Sequence, residues 1–551
     1  VEKLWLKNYQ EGVPYEIDAN RHTSLIQLFD EACDKHKNQV AYVNMGSKLS
    51  FSDVNTLSMN FASYLQQLGL KKGARVAIMM PNILQYPIAL FAILRAGFIV
   101  VNTNPLYTCD EITHQLNDSG AEAIVVLANF ASTIDKALPN LSQLKHVVVT
   151  QLGDLFPVAK RLLINFVVNH IKKIVPAYCL PRAKSFRAAL KIGAASPFSP
   201  IKCQPNDIAF LQYTGGTTGV SKGAKLTHGN MVANILQASV WLSPLSLDNR
   251  DIIITALPLY HIFSLTANCL TFFNAGAKNI LITNPRDISQ FIKDIKTSQF
   301  TAITGVNTLF IALLNHPKFI DVDFSKLKLA LSGGMALQKS IAIKWSAITK
   351  SPILEAYGLT ETSPAVSINP LYIKAYNGSI GLPLSSTDIS IRDDDGKELN
   401  IGEQGELCVK GPQVMEGYWH QDDETSKIFW PDHFLRTGDI AKMDEKGFIY
   451  LVDRKKDLII VSGFNVYPNE VEQVISMMPG VLEVGVVGTK TSSGLEQVKA
   501  CIVRRDPALT AKEVIDHARQ HLAAYKAPKI VEFYNELPKT NVGKILRRAL
   551  K

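Results

Sequence analysis

Apolar positions in the first two hundred residues follow two alternating rhythms, short continuous runs and longer stretches with helical spacing. That alternation predicts an α/β fold with mostly parallel sheets. Between 25 and 64 helical spacing is interrupted by one strand-like run, Val40-Ala41-Tyr42-Val43, and a polar turn at Gly46-Ser47-Lys48. Residues 73–80 read as a buried strand ended by Pro81-Asn82, and a helix is expected over 86–95. Apolar runs at 98–101, 123–127 and 146–150 continue the pattern. Over 160–175 the spacing is helical with an unusual division. Arg161, Asn165, Asn169, Lys172 and Lys173 gather on one side, while Leu162, Leu163, Phe166, Val167, Ile171 and Ile174 cover the other. This basic amphipathic helix has two placements open to it: flat in a membrane interface, or packed on the protein core.

Composition narrows the class. With 551 residues and 47% of them apolar, the chain can bury cores for two or more domains. A formal charge of +9 is modest at this length, and no Lys/Arg block is long enough to track nucleic acid. A mildly basic face toward an anionic substrate or a membrane is expected. Seven cysteines (33, 109, 179, 203, 269, 408 and 501) lack any CxxC pairing and suit a reducing compartment. No signal peptide is expected, and no apolar run reaches the roughly 18 to 20 residues of a bilayer span. The expected location is cytoplasmic, with a peripheral position on the cytoplasmic face of the membrane left open.

The first stretch that carries chemistry is Gln212-Tyr213-Thr214-Gly215-Gly216-Thr217-Thr218-Gly219-Val220-Ser221-Lys222-Gly223. Glycines let the backbone turn and bring N–H groups close to a polyanion, and hydroxyls and an ammonium add further donors. The loop follows a strand-like run, Ile208-Ala209-Phe210-Leu211, and precedes a helical segment from His228. A Walker A loop ends in Gly-Lys-Ser/Thr, whereas Lys222 here follows Ser221 and precedes Gly223, so this is a different kind of phosphate loop.

The loop resembles that of the acyl-adenylate-forming ligases, and four further motifs follow in that family's order. They are Ala256-Leu257-Pro258-Leu259-Tyr260-His261-Ile262-Phe263, then Glu355-Ala356-Tyr357-Gly358-Leu359-Thr360-Glu361-Thr362, then Leu435-Arg436-Thr437-Gly438-Asp439 with Asp453-Arg454-Lys455-Lys456-Asp457, and last Pro538-Lys539-Thr540-Asn541-Val542-Gly543-Lys544. The resemblance spans essentially the whole chain and is nearest to bacterial long-chain fatty acid CoA ligases. It implies a large N-terminal domain, 1–455, that binds AMP and the acyl group, and a small mobile α/β domain, 456–551, with its hinge at Lys456.

By the same resemblance Tyr213, Thr214, Gly215, Gly216, Thr217, Thr218, Gly219 and Lys222 hold phosphates. Gly334, Tyr357, Gly358 and Thr360 surround the adenylate, and Asp439 and Arg454 take the ribose. Glu361 is the implied Mg²⁺ ligand, and Lys544 reaches in to activate the carboxylate with Thr214, Glu361 and His261. His261, Gly305, Val306, Gly333 and Met335 line the acyl pocket; Gly463 and Phe464 face CoA. The family often has histidine where this chain has Arg436, so no role is carried over to that position. The activity implied is ATP-dependent conversion of long-chain fatty acids to acyl-CoA through an acyl-adenylate, with Mg²⁺, ATP and CoA. The alternative is a fatty acyl-AMP ligase that serves a carrier protein, though that group's usual insertion before the C-terminal domain is not seen between Asp439 and Arg454. An inert nucleotide-binding module would not need Glu361, Asp439 and Lys544 together. An oligomer is left open.

Overall fold

The computed structural model describes residues 3–214, 221–461, 464–491, 495–540 and 543–551. Two large sheets form the N-terminal part. One has nine strands, in the order Leu382–Pro383, Ala365–Ile368, Ile353–Gly358, Leu329–Ser332, Ala302–Gly305, Ile252–Thr255, Lys278–Leu281, Val40–Asn44 and Ser47–Ser50. Its inner strands pair in parallel and only its flanks are antiparallel. The other has seven strands, ordered Lys184–Ser185, His146–Thr150, Ala123–Leu127, Arg75–Met79, Ile99–Asn102, Ile208–Thr214 and Lys222–Thr227. All neighbours are parallel except the last pair. Parallel strands covered on both faces read as continuous apolar runs, which is how Ile252-Ile253-Ile254 and Ala123–Leu127 are written.

The expected helix near 86–95 forms as Gln85–Arg95, and every residue of it is buried. Its Phe91 ring stacks into a cluster with Phe29 and Phe273, with centroids 3.9 and 5.3 Å away. A capping box of Thr227 and Asn230 starts the helix His228–Trp241 directly behind the phosphate loop's second strand.

A four-stranded antiparallel sheet follows: Asp388–Arg392, Gly405–Lys410, Leu435–Met443 and Ile449–Arg454. The small C-terminal part comprises the hairpin pair Ile459–Val461 and Phe464–Val466, plus a sheet of Val481–Lys490, Glu496–Arg504 and Ile530–Tyr534. Helices Pro468–Ser476 and Ala511–His521 complete it, and Ile459, Val471, Ile475, Val484, Val486 and Val514 close a core of its own. All seven cysteines are free thiols, and five of them are buried. Among the described residues, no helix is long and apolar enough to cross a membrane.

The segment at 160–175 forms the helix Val158–Phe166 and a π-helical turn, Val167–Ile171, but its apolar side does not join the core. Val168 alone of these residues is buried and Ile164 packs at the edge of the core, while Asn165 and Asn169 of the polar side meet the turn at 151–153. The charged run 453–457 is largely half-buried, with Lys456 exposed. Asp453 is only 2% exposed, because Arg547 and two backbone N–H groups saturate its carboxylate.

Candidate active site

The seven-stranded sheet delivers Thr214 at the end of a strand, and antiparallel pairing sets Lys222 directly opposite it. Gly215, Gly216, Thr217, Thr218 and Gly219 lie outside the described residues, as does Gly463. Tyr213 points into the core, where its hydroxyl donates to Asp118. Lys222 Nζ pairs with Glu424 and sits 5.3 Å from the centre of the Tyr418 ring. Tyr418 in turn donates to Glu361 Oε1 at 2.6 Å, and the Met415 N–H donates to the Glu361 carbonyl at 2.8 Å. Burial and the Glu361 charge hold the Tyr418 phenol well above its ordinary pKa.

Glu361 occupies the short 3-10 turn Thr360–Thr362 that follows the strand Ile353–Gly358. Gly358 is needed there because a Cβ would lie 2.0 Å from the Pro364 carbonyl oxygen. Tyr357, on the same strand, donates to Asp439 Oδ2 at 2.6 Å. Asp439 and Arg454 are cross-strand partners, and Arg454 Nε lies 3.3 Å from Asp439 Oδ1. Asp439 is 5% exposed, so this triad forms a pre-paired polar wall.

Behind the wall stands Glu406, which takes no part in the sequence reading. Its carboxylate accepts from the Gly438 N–H at 3.2 Å and from Arg436 Nη2 at 3.0 Å, and Lys455 Nζ lies 3.4 Å away. The Arg436 guanidinium also lies 4.4 Å from the centre of the Trp430 ring. Position 436 therefore braces the strand from behind.

Lys544 enters from the C-terminal part. The Thr540 N–H donates to the Lys544 carbonyl at 2.7 Å, the Gly543 N–H donates to the Thr540 carbonyl at 2.9 Å, and Thr308 Oγ1 donates to the Gly543 carbonyl at 3.0 Å. The lysine side chain runs over Gly334, at φ +80°, where an added Cβ would lie 3.4 Å from Lys544 Cε and 3.8 Å from Val306 Cγ1. Burial, then the nearby Arg454 charge, lowers the Lys544 pKa to about 8, against the opposing pull of Asp439 and Glu361. Among the described residues no carboxylate lies within ion-pair distance of its ammonium. His261 is affected by the same ammonium: burial, then the Lys544 charge, lowers its pKa to about 3. Lys544, His261, Glu361, Asp439 and Arg454 thus share one electrostatic neighbourhood.

The remaining expected residues are more dispersed. Over Gly305 the space is taken by the Phe310 ring, 2.7 Å from where a Cβ would stand, and over Gly333 by Phe263 at 3.0 Å. Met335 packs at the edge of the core that contains Val306. Phe464 is exposed and stacks on Tyr525 with centroids 5.0 Å apart. Lys456 lies in the turn Lys455–Asp457, its pKa lowered by burial and by Arg454.

Three residues beyond Lys544, Arg547 meets a cluster that sequence reading also misses. Its guanidinium donates to Asn469 Oδ1 at 2.6 Å, to Glu472 at 2.9 and 3.0 Å and to Asp457 at 3.2 Å, and lies 3.5 Å from Asp453. Burial alone would lower the Arg547 pKa; the carboxylates of Glu472 and Asp453 outweigh it and raise it. Asp453 directly precedes Arg454 on the strand Ile449–Arg454, so Arg547 ties the lysine's tail to the wall.

The AMP-binding enzyme family matches residues 29–419, and its C-terminal domain matches 470–544. The chain belongs to the AMP-binding enzyme family. This family member is 54% identical over 552 residues to a long-chain-fatty-acid–CoA ligase from Yersinia pestis, covering 100% of this chain and 98% of that protein. Identity and coverage are the same against the ligase of that name from Salmonella typhi. The AMP-binding enzyme also shares its fold with the anthranilate CoA ligase AuaEII, crystallised in complex with anthranoyl-AMP. The TM-score is 0.85 at 24% identity, over 97% of this chain and 98% of that one.

Proposed function

We infer that this AMP-binding enzyme activates long-chain fatty acids to acyl-CoA in two steps. In the first, the fatty carboxylate attacks the α-phosphorus of ATP, forming the acyl-adenylate and releasing pyrophosphate. In the second, the CoA thiol attacks the acyl carbonyl and AMP leaves. The observation that carries this reading is the buried ammonium of Lys544, without an ion pair among the described residues, in the electrostatic neighbourhood of Glu361, Asp439 and Arg454. Full-length identity to ligases named for long-chain fatty acids supports the substrate class.

Both reactants of the first step are anions, so the site's main task is to cancel charge. Lys544 supplies a cation to the carboxylate and α-phosphate, and Lys222 exchanges Glu424 for phosphate when ATP binds. The loop 214–219 adds donors, Asp439 and Arg454 hold the ribose, and Tyr357 flanks the adenine. His261 stays neutral and shapes the acyl entrance. Glu361 fits Mg²⁺, which takes one or two carboxylates and completes its shell with phosphate oxygens and water. When bound, Mg²⁺ neutralises phosphate charge.

The division into 1–455 and 456–551, with Lys456 as hinge, belongs to the same reading. Rotation there withdraws Lys544 and admits CoA past Gly463 and Phe464. Contact with a membrane surface belongs to it too, since a long-chain acid partitions into lipid. The test is pyrophosphate release with ATP, Mg²⁺ and fatty acids of increasing length, with and without CoA. Release with long acids, and acyl-CoA when CoA is present, is the expected result. Release that stops at acyl-AMP despite CoA contradicts the second step, and no release with any acid contradicts both.

A further inference from the structure

The run 256–261 leaves the nine-stranded sheet at Thr255 and leads to His261. Apolar packing alone does not fix it. Leu257 packs into the core that contains Val306, whereas Leu259 packs into the core that contains Tyr86 and Phe91, so side chains two positions apart anchor on different cores. The backbone of the run is instead held by three buried polar side chains from the seven-stranded sheet and its helix. Asn82 Nδ2 donates to the Thr255 carbonyl at 3.0 Å and to the Leu257 carbonyl at 2.9 Å, and Asn82 Oδ1 accepts from the Leu259 N–H at 2.8 Å. The Tyr86 hydroxyl lies 2.8 Å from the Leu259 carbonyl and 2.6 Å from Asn102 Oδ1. Gln212 Nε2 donates to the Tyr260 carbonyl at 2.7 Å.

Gln212 is the link to the phosphate side. It stands on the strand Ile208–Thr214, two positions before Thr214 and on the same face of that strand. Asn102 is its register partner on the parallel neighbour, and Asn102 Nδ2 donates to Gln212 Oε1 at 2.9 Å. The Asn102 backbone is held in turn, because Gln115 Nε2 donates to its carbonyl at 2.9 Å. Tyr86, Asn102, Gln212 and the Tyr260 carbonyl thus form one chain of hydrogen bonds. Tyr86, Asn102 and Gln212 are all buried, so solvent does not replace a partner lost from the chain. Its two ends are the strand that presents Thr214 and the residue before His261.

We propose that Gln212 is a positioning residue for adenylation. Through the Tyr260 carbonyl it fixes the stretch that ends in His261 against the strand that presents Thr214, and Asn102 and Tyr86 hold its amide in the orientation that does so. The inference rests on the proposed ligase activity, in which the acyl carboxylate enters on the His261 side and the α-phosphate lies on the Thr214 side. Two anions that must meet in line react only when their carriers are held at one separation, and a misplacement of about 1 Å costs about 100-fold. In the second step the acyl group and AMP are already one molecule, so the clamp has no separation left to set. Gln212 therefore acts on the first half-reaction and spares the second.

The test assays both half-reactions of the full chain. Gln212→Met keeps the length of the side chain and removes both of its hydrogen bonds. It is expected to lower kcat for pyrophosphate release with ATP and a long-chain acid by about 10 to 100-fold, with KM for either substrate changed by no more than about twofold. Acyl-CoA formation from supplied acyl-AMP and CoA should stay near the wild-type rate, which also shows that the variant folds. Asn102→Leu, which frees the Gln212 amide, should give a smaller loss of the same kind, and Tyr86→Phe a smaller one again. The Gln212→Met, Asn102→Leu double variant should lose no more than Gln212→Met alone, because the side chains act as one unit. Should Gln212→Met fail to fold, the same split between half-reactions is read in Asn102→Leu and Tyr86→Phe. Equal losses in both half-reactions of a folded variant overturn the proposal, since Gln212 then supports the core as a whole. So does a raised KM with unchanged kcat, and so does unchanged adenylation. Wild-type protein that releases no pyrophosphate with any acid overturns the ligase reading and this inference with it, a result distinct from any that variants of an active enzyme give.

Discussion

Lys544 and Arg547 are two cations three residues apart on the same tail, and their surroundings are opposite. Arg547 has Asn469, Glu472, Asp457 and Asp453 around one guanidinium, and its pKa is raised. Lys544 has no ion pair among the described residues, and its pKa is lowered to about 8. A cation kept out of water without a partner is costly, so it persists where a substrate is to supply the missing charge. A cation with several carboxylates does not wait for a ligand; it holds an element in place. The pair therefore separates two tasks that a sequence of basic residues cannot distinguish: Arg547 roots the tail, and Lys544 is the tip it presents.

Removing the tip should give the largest effect. Lys544→Ala is expected to lower pyrophosphate release by about 100 to 1000-fold, measured with saturating ATP and acid, with little change in thermal stability. Removing the root should do the reverse. Arg547→Ala leaves Asp453 and Glu472 without their cation and should cost about 3 to 5 kcal/mol, read as an earlier unfolding transition of the C-terminal part in urea. A loss of activity with unchanged stability in that variant would erase the distinction.

The next effect is one of pH. Lys544 acts as a cation, so kcat/KM for adenylation should be level below its pKa of about 8 and fall as pH rises through it, approaching tenfold per unit. His261, at about 3, contributes no limb between pH 5 and 7. A profile that instead rises through pH 8 would mean that the neutral amine is the working form. The smallest effect concerns the contact that steadies the tip. Thr308→Val removes the hydrogen bond to the Gly543 carbonyl and should cost about 1 kcal/mol, a fewfold loss in adenylation, with the pH midpoint unmoved.

The contrast between tip and root was half legible. The order of motifs marks Lys544, and the apolar rhythm predicts the parallel sheets, with the helix Gln85–Arg95 close to its expected bounds. Asp439 and Arg454 stand in recognisable stretches, and folding makes them cross-strand neighbours. Arg547 carries no signal of its own, because its carboxylates come from positions 75 to 94 residues away and acquire meaning only when the tail folds back. Glu406, Tyr418 and Glu424 are hidden for the same reason: each is an ordinary residue until a distant Arg436, Glu361 or Lys222 arrives. At 158–171 periodicity predicts an amphipathic helix but not which side faces in, since that depends on the turn at Gln151 and Gly153 offering partners to Asn169 and Asn165.

The most direct measurement assays the two half-reactions separately on one preparation of Lys544→Ala: acyl-AMP formation from ATP and a long-chain acid, then acyl-CoA formation from supplied acyl-AMP and CoA. An unpaired lysine that serves only adenylation predicts a loss of about 100 to 1000-fold in the first and near wild-type rates in the second. Equal losses in both would contradict the account, because Lys544 would then support the site as a whole.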